Sequence, residues 1–197
     1  MTRDVRVGRV LVAALQQAIN EEAPARAEFY DHWLEPERRR DGTLGLAPMT
    51  AVAGFLRTEG EAYGRIVAAA GRYVGEWTWR ERAAWRRRLV VALPRAVRVR
   101  RVARTFAEVV AETCPATLVR TRVRGSVVSV TVTQSVFCGS RETPKNPLCG
   151  CYAAMFVSLC AEAGLAATGA MTSCRAGSTQ GEKGGTCTGE FDVSAAS

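Results

Sequence analysis

The sequence predicts an α+β fold: N-terminal helices packed on a small antiparallel sheet of about four strands, with a buried helix that carries cysteines. Three observations lead there. Apolar residues recur at helical spacing through the first half, Leu11, Leu15, Ala18 and Ile19 forming the clearest stripe. After Cys114-Pro115 the texture changes to β-branched runs, TLVRTRVRGSVVSVTVTQSVFC. Six of the seven cysteines then fall between Cys138 and Cys187, five of them beside Gly, Ser or Thr at expected element ends.

A chain of 197 residues, 47% hydrophobic and 23% charged, has the material for a proper core and is not disordered by composition. It reads as a helical extension, residues 1–46, followed by an α+β domain, residues 47–197. No apolar run reaches ~18 residues, so no transmembrane segment is expected. The opening MTRDVRVGRVLVAALQQAIN is basic and then apolar, but Gln16, Gln17, Asn20, Glu21 and Glu22 interrupt it. It reads as an amphipathic helix rather than a signal peptide, and a cytoplasmic protein is expected.

Pro24 ends or kinks that first helix. The next segment carries Phe29, Tyr30, Trp33 and the lone histidine, His32, which cannot by itself furnish a two-histidine metal site and reads as packing. Asp41-Gly42 marks a turn. From Pro48 the pattern is helical but holds Gly54, Gly60, Gly64, Gly71 and Gly75. Each interior glycine costs ~1 kcal/mol relative to alanine, so a tertiary reason is expected, such as close approach of another helix or of a ligand. Phe55, Tyr63 and Ile66 lie on the apolar faces and are candidate walls of a cavity for a flat or greasy ligand; core packing is the equal alternative.

The net charge of +8 lies entirely in residues 1–107, which hold 20 basic and 12 acidic side chains against 7 and 7 in the remainder. Nine arginines run from Arg82 to Arg104 with no acid among them. Val99, Val102, Phe106, Val109 and Val110 recur on one face, giving a long amphipathic helix that Pro94 starts or kinks. Phe106 is a fourth candidate ligand contact. The opposite face suits phosphate, a nucleic acid or an anionic surface, but no nucleic-acid motif accompanies it, and a solvated face is the commoner outcome.

The β-runs join at Arg124-Gly125-Ser126 as a hairpin. Its first strand is polar on the Arg120, Arg122 and Arg124 face, and its second is apolar through Val128, Val130 and Val132. Asn146-Pro147 opens a helix, Asn as N-cap and Pro at the first position, that runs to Gly164 with Glu162 as its one charge. Two strands follow, near 166–173 and 186–193, around the Gly-rich AGSTQGEKGG.

Seven thiols, an odd number, in a reducing compartment point to metal binding, redox chemistry or burial before disulfides. Cys160 and Cys114 read as buried small hydrophobes. Cys149 and Cys151 sit at the start of the helix, where free N–H groups and the helix dipole favour thiolate. Cys174 and Cys187 meet across the last hairpin, and Cys138 ends the strand leading into the helix. A four-thiolate site drawn from Cys138, Cys149, Cys151, Cys174 and Cys187 follows, although the spacing C-x10-C-x-C-x22-C-x12-C matches neither a zinc ribbon nor a ferredoxin run.

The hairpin, the cysteine-bearing helix, the strand ending Cys174-Arg175-Ala176-Gly177 and the last strand beginning Cys187-Thr188-Gly189-Glu190-Phe191 together resemble the 4-vinyl reductase domain family. The resemblance covers about residues 115–193, with the glycine-containing helices from Pro48 as a looser likeness. It implies an α+β domain holding a hydrophobic small molecule, often as a homodimer, as in bacteriochlorophyll-synthesis proteins and aromatic-sensing regulator domains. It also implies a zinc site in which Cys149, Cys174 and Cys187 match cysteine ligands. The family's glutamate ligand falls at Met171, so the fourth ligand passes to Cys138 or Cys151. An all-thiolate set is softer and admits zinc or an iron–sulfur cluster such as 4Fe-4S.

The leading expectation is thus a domain binding a hydrophobic or tetrapyrrole-like molecule, stabilised by a cysteine-ligated metal. An iron–sulfur reductase or lyase on the same cysteines is the second, and a regulatory module whose basic helix contacts a partner is the third.

Overall fold

Strand order in the main sheet is what places the cysteines. The structure is a computed structural model that describes residues 6–34, 44–138, 148–175 and 186–196. In chain order its elements begin with β1 (Arg6–Val7), α1 (Arg9–Glu22), α2 (Ala27–Leu34), β2 (Leu44–Gly45), α3 (Leu46–Thr58) and α4 (Glu61–Arg80). Then come α5 (Ala84–Ala92), α6 (Arg95–Thr113), β3 (Leu118–Arg124), β4 (Val127–Thr133), α7 (Gly150–Glu162), β5 (Leu165–Arg175) and β6 (Thr186–Ala195). β1 and β2 form a small antiparallel pair, and the others make a four-stranded antiparallel sheet of order β3-β4-β6-β5. The fold is α+β, helices on a small sheet.

The period-2 pattern decides which face of the sheet is dry. Val128, Val130 and Val132 of β4 and Cys187, Phe191 and Val193 of β6 are all buried, while Arg120, Arg122 and Arg124 of β3 face outward with Leu118 beside them. On the dry face a column of rings runs through the layers: Phe191 of β6 lies 4.8 Å from Phe156 of α7, which meets Phe106 of α6 edge-on at 5.5 Å. Val7, Leu11, Leu15 and Ile19, from the N-terminal segment, belong to the same hydrophobic core as these residues.

α7 is held on its other side by α4, and two of the five glycines explain how. A methyl group on Gly71 would collide with the carbonyl of Cys151, and one on Gly75 would meet Ser158 at 2.8 Å. Bare backbone at these positions lets the two helices cross closely, and the Ser158 hydroxyl donates to the Arg72 carbonyl at 3.1 Å. Gly64 faces open space and has no such reason.

Pro94 starts the long amphipathic helix, as expected: it is the N-cap of α6, because a proline has no N–H to donate inside a continuous helix, and α5 ends just before it at Ala92. One expected element differs in detail. The cysteine-bearing helix starts at Gly150 with Cys149 as its N-cap. The Asn146-Pro147 start expected for it lies outside the described residues. Among the described residues, no helix is long and apolar enough to cross a membrane.

Candidate metal centre

Four sulfurs converge where β4, α7, β5 and β6 meet. Cys138 closes a 3-10 turn, Val136–Cys138, just after β4; Cys149 caps α7; Cys174 and Cys187 are cross-strand partners in β5 and β6. The Sγ atoms of all four lie within 4.8 Å of one another. Cys138 stands 2.7 Å from Cys149, 3.0 Å from Cys187 and 3.3 Å from Cys174; Cys187 stands 2.8 Å from Cys149 and 3.3 Å from Cys174. Among the described residues this is the one such grouping of Cys, His or carboxylate side chains.

Local structure explains why each thiol points there. Gln134 has φ 59°, a left-handed conformation uncommon for a residue with a Cβ, and it swings the chain from β4 into the Cys138 turn. Its carbonyl accepts a hydrogen bond from the Thr117 hydroxyl at 3.2 Å, which helps hold that conformation. On β5, Met171 and Cys174 are three residues apart, and a regular strand would put them on opposite faces. A one-residue bulge between Met171 and Ser173 resets the phase, so that Cys174 pairs with Cys187 on the helix-facing side.

A surrounding set of hydrogen bonds fixes the turns. The Ser135 hydroxyl accepts from the Phe137 N–H at 3.2 Å and from the Cys149 thiol at 3.6 Å, and donates to the Tyr152 hydroxyl at 3.2 Å. The Tyr63 hydroxyl donates to the Leu148 carbonyl at 2.7 Å, tying α4 to the chain just before Cys149. Ser135 and Tyr152 carry no spacing signal, and sequence reasoning passed over both.

The electrostatics are those of a shared anion. Hydrogen bonds from Cys149 and then Cys187 hold the Cys138 thiol far down, at about 3. Cys174 is lowered to about 7, first by Cys149 and, against desolvation, also by the Leu148 backbone. Cys149 and Cys187 are pushed up, chiefly because each shares its proton with Cys138. Sulfurs this close share protons and favour loss of one from the set, which suits a metal ion that needs thiolates.

Cys151 takes no part. Residues two apart on a helix point in nearly opposite directions, and with Cys149 at the cap Cys151 turns into the packed core. Burial raises its pKa, and the fourth sulfur is Cys138. Burial likewise pushes Cys114 and Cys160 up to about 12 each. Met171 is 5% exposed and packs against Gly189.

Of the candidate ligand walls, two lie in the core. Ile66 and Phe106 are fully buried in the core, and Tyr63 is committed to Leu148. Phe55, 37% exposed, sits in an aromatic group with Phe29 and Trp33, and His32 packs edge-on to Trp33 at 6.4 Å. Cavities do occur elsewhere, one of them between α5 and α6.

What four converging thiols, three of them buried and Cys174 half-buried, can do chemically is hold a soft or borderline metal ion or cluster. Comparison with family models, with curated proteins and with solved structures finds no match.

Proposed function

We propose that this chain is a small-molecule-binding domain organised around one zinc ion held by Cys138, Cys149, Cys174 and Cys187, and that the zinc is structural. The observation that carries the metal reading is the mutual approach of the four sulfurs within 4.8 Å. With a Zn–S bond of ~2.3 Å, a tetrahedron of thiolates has edges of about 3.8 Å. The sulfurs reach that by sub-ångström shifts. A 4Fe-4S cluster interposes a cube of iron and sulfide between its thiolates and spreads them well beyond this cage, so the geometry favours a single ion over the cluster of the reductase reading.

Four protein sulfurs saturate a tetrahedral ion and leave no position for water or substrate, which argues for structure over catalysis. The ion would cross-link four stretches of chain that are separate in sequence. The small-molecule half of the reading rests on the likeness to the 4-vinyl reductase domains in residues 115–193, and a homodimer is proposed on the same footing.

The test is purification without oxygen, followed by metal and sulfide analysis. One zinc per chain, replaceable by cobalt with the absorption of a tetrahedral thiolate site, supports the proposal. A brown protein with iron and acid-labile sulfide would transfer the site to the cluster reading.

A further inference from the structure

Among the described residues, α5 is the one α-helix with no buried residue. Trp85 is 63% exposed and Leu89, one turn on, 57%, and they sit among Arg86, Arg87 and Arg88. Between this helix and the body lies a cavity of about 370 Å³. That volume falls in the range of small-ligand sites. Its apolar lining comes from Trp79, Trp85, Leu89 and Val90, and four guanidinium groups, Arg82, Arg86, Arg87 and Arg101, share the wall.

The charge of those four is unequally used. Arg82 reaches Glu108 at 3.8 Å, and Arg86 lies over the Trp85 ring at 5.2 Å. Among the described residues, no carboxylate lies within ion-pair distance of Arg86, Arg87 or Arg101. The Arg87 Nε is buried and has no hydrogen-bond partner, a donor whose cost is normally met by an acceptor. Other arginines of the run are already employed: Arg98 donates to the carbonyls of Ala163 and Gly164 at the end of α7, and Arg104 pairs with Glu108.

We infer that this cavity is the ligand seat and that its ligand is an amphipathic anion, an apolar body of acyl or aryl size bearing a phosphate or carboxylate. The rings and Leu89 bury the body, while Arg87 and Arg101 grip the anionic head with charge-assisted hydrogen bonds. The inference rests on the small-molecule half of the reading above and is independent of the metal. It moves the ligand away from Phe55, Tyr63, Ile66 and Phe106.

The experiment titrates the zinc-loaded protein with octyl phosphate and follows the tryptophan emission, with octanol and inorganic phosphate as its two halves. Saturable binding about tenfold or more tighter than either half is expected, and Arg87→Gln/Arg101→Gln should remove that advantage while leaving octanol unchanged. Leu89→Asp, a surface change outside the core, should abolish it independently. Equal binding of octyl phosphate and octanol, or undiminished binding by both variants with wild-type melting curves, overturns the inference. A hydrophobic probe bound with indifference to all three substitutions would keep the small-molecule reading and overturn the cavity alone. Vesicles containing phosphatidylglycerol, compared with phosphatidylcholine alone, separate the sources. Capture by the former, displaced by octyl phosphate, assigns a lipid headgroup; no capture with octyl phosphate still bound assigns a free metabolite, and both support an anionic amphiphile.

Discussion

The cysteine centre and the arginine segment are both compositional anomalies, and the chain treats them in opposite ways. The thiols are drawn from four separated stretches of chain into one largely buried point. The arginines stay contiguous along α5 and α6, and α5 contributes no buried residue at all. Cysteine gains by convergence, because one ion needs several sulfurs at once. Arginine tolerates dispersal, since each head finds water and its stem can cover apolar surface. Clustering in sequence therefore says little about clustering in space until residue chemistry is considered.

The contrast is most severely strained by removing a ligand. Cys187→Ser, or a strong chelator applied to the wild type, should strip the ion and abolish cooperative unfolding, because structural zinc in small domains contributes on the order of 10 kcal/mol. Metal analysis and a thermal melt read both. Next in size is the helix crossing behind the centre. Gly71→Ala pushes a methyl into the Cys151 carbonyl and should cost about 1–3 kcal/mol or more, whereas Gly64→Ala, in open space, should stabilise by about 0.5–1 kcal/mol. Denaturant melts of the pair decide it; equal effects would mean that α4 and α7 do not meet there.

Cys151→Ala sharpens the distinction within the cysteines themselves. It should keep a full complement of metal and lose about 1–2 kcal/mol of packing; loss of metal would return Cys151 to the ligand set. The smallest effect belongs to the arginine side. Trp85→Ala should shift stability by no more than about 0.5 kcal/mol, since its side chain is mostly in water, and a larger loss would show α5 to be part of the core.

Periodicity made much of this legible. The stripe Leu11, Leu15, Ala18 and Ile19 is buried as a stripe, the Arg124-Gly125-Ser126 hairpin forms, and Val128, Val130 and Val132 line one face. These are local patterns with a fixed repeat, and burial follows the repeat. The choice between Cys138 and Cys151 was not legible, because it turned on whether α7 began before or after Cys149. Nor was the bulge that aims Cys174, since Ser173 and Thr172 look like ordinary strand residues. The division of the five glycines also escaped the sequence. Only the partner helix, more than 70 positions away, distinguishes Gly71 and Gly75 from Gly64.

One consequence follows from the pairing of Cys174 with Cys187 and of Cys138 with Cys149. Each pair brackets a stretch of chain, residues 175–186 and 139–148, and fastens both of its ends to the same point. The entropy of closing such a stretch grows only as the logarithm of its length, so doubling either one costs roughly 0.6 kcal/mol. With the proposed ion holding all four thiols, extra residues between the members of either pair should therefore cost little stability, the ion acting as a buckle for chain of variable length.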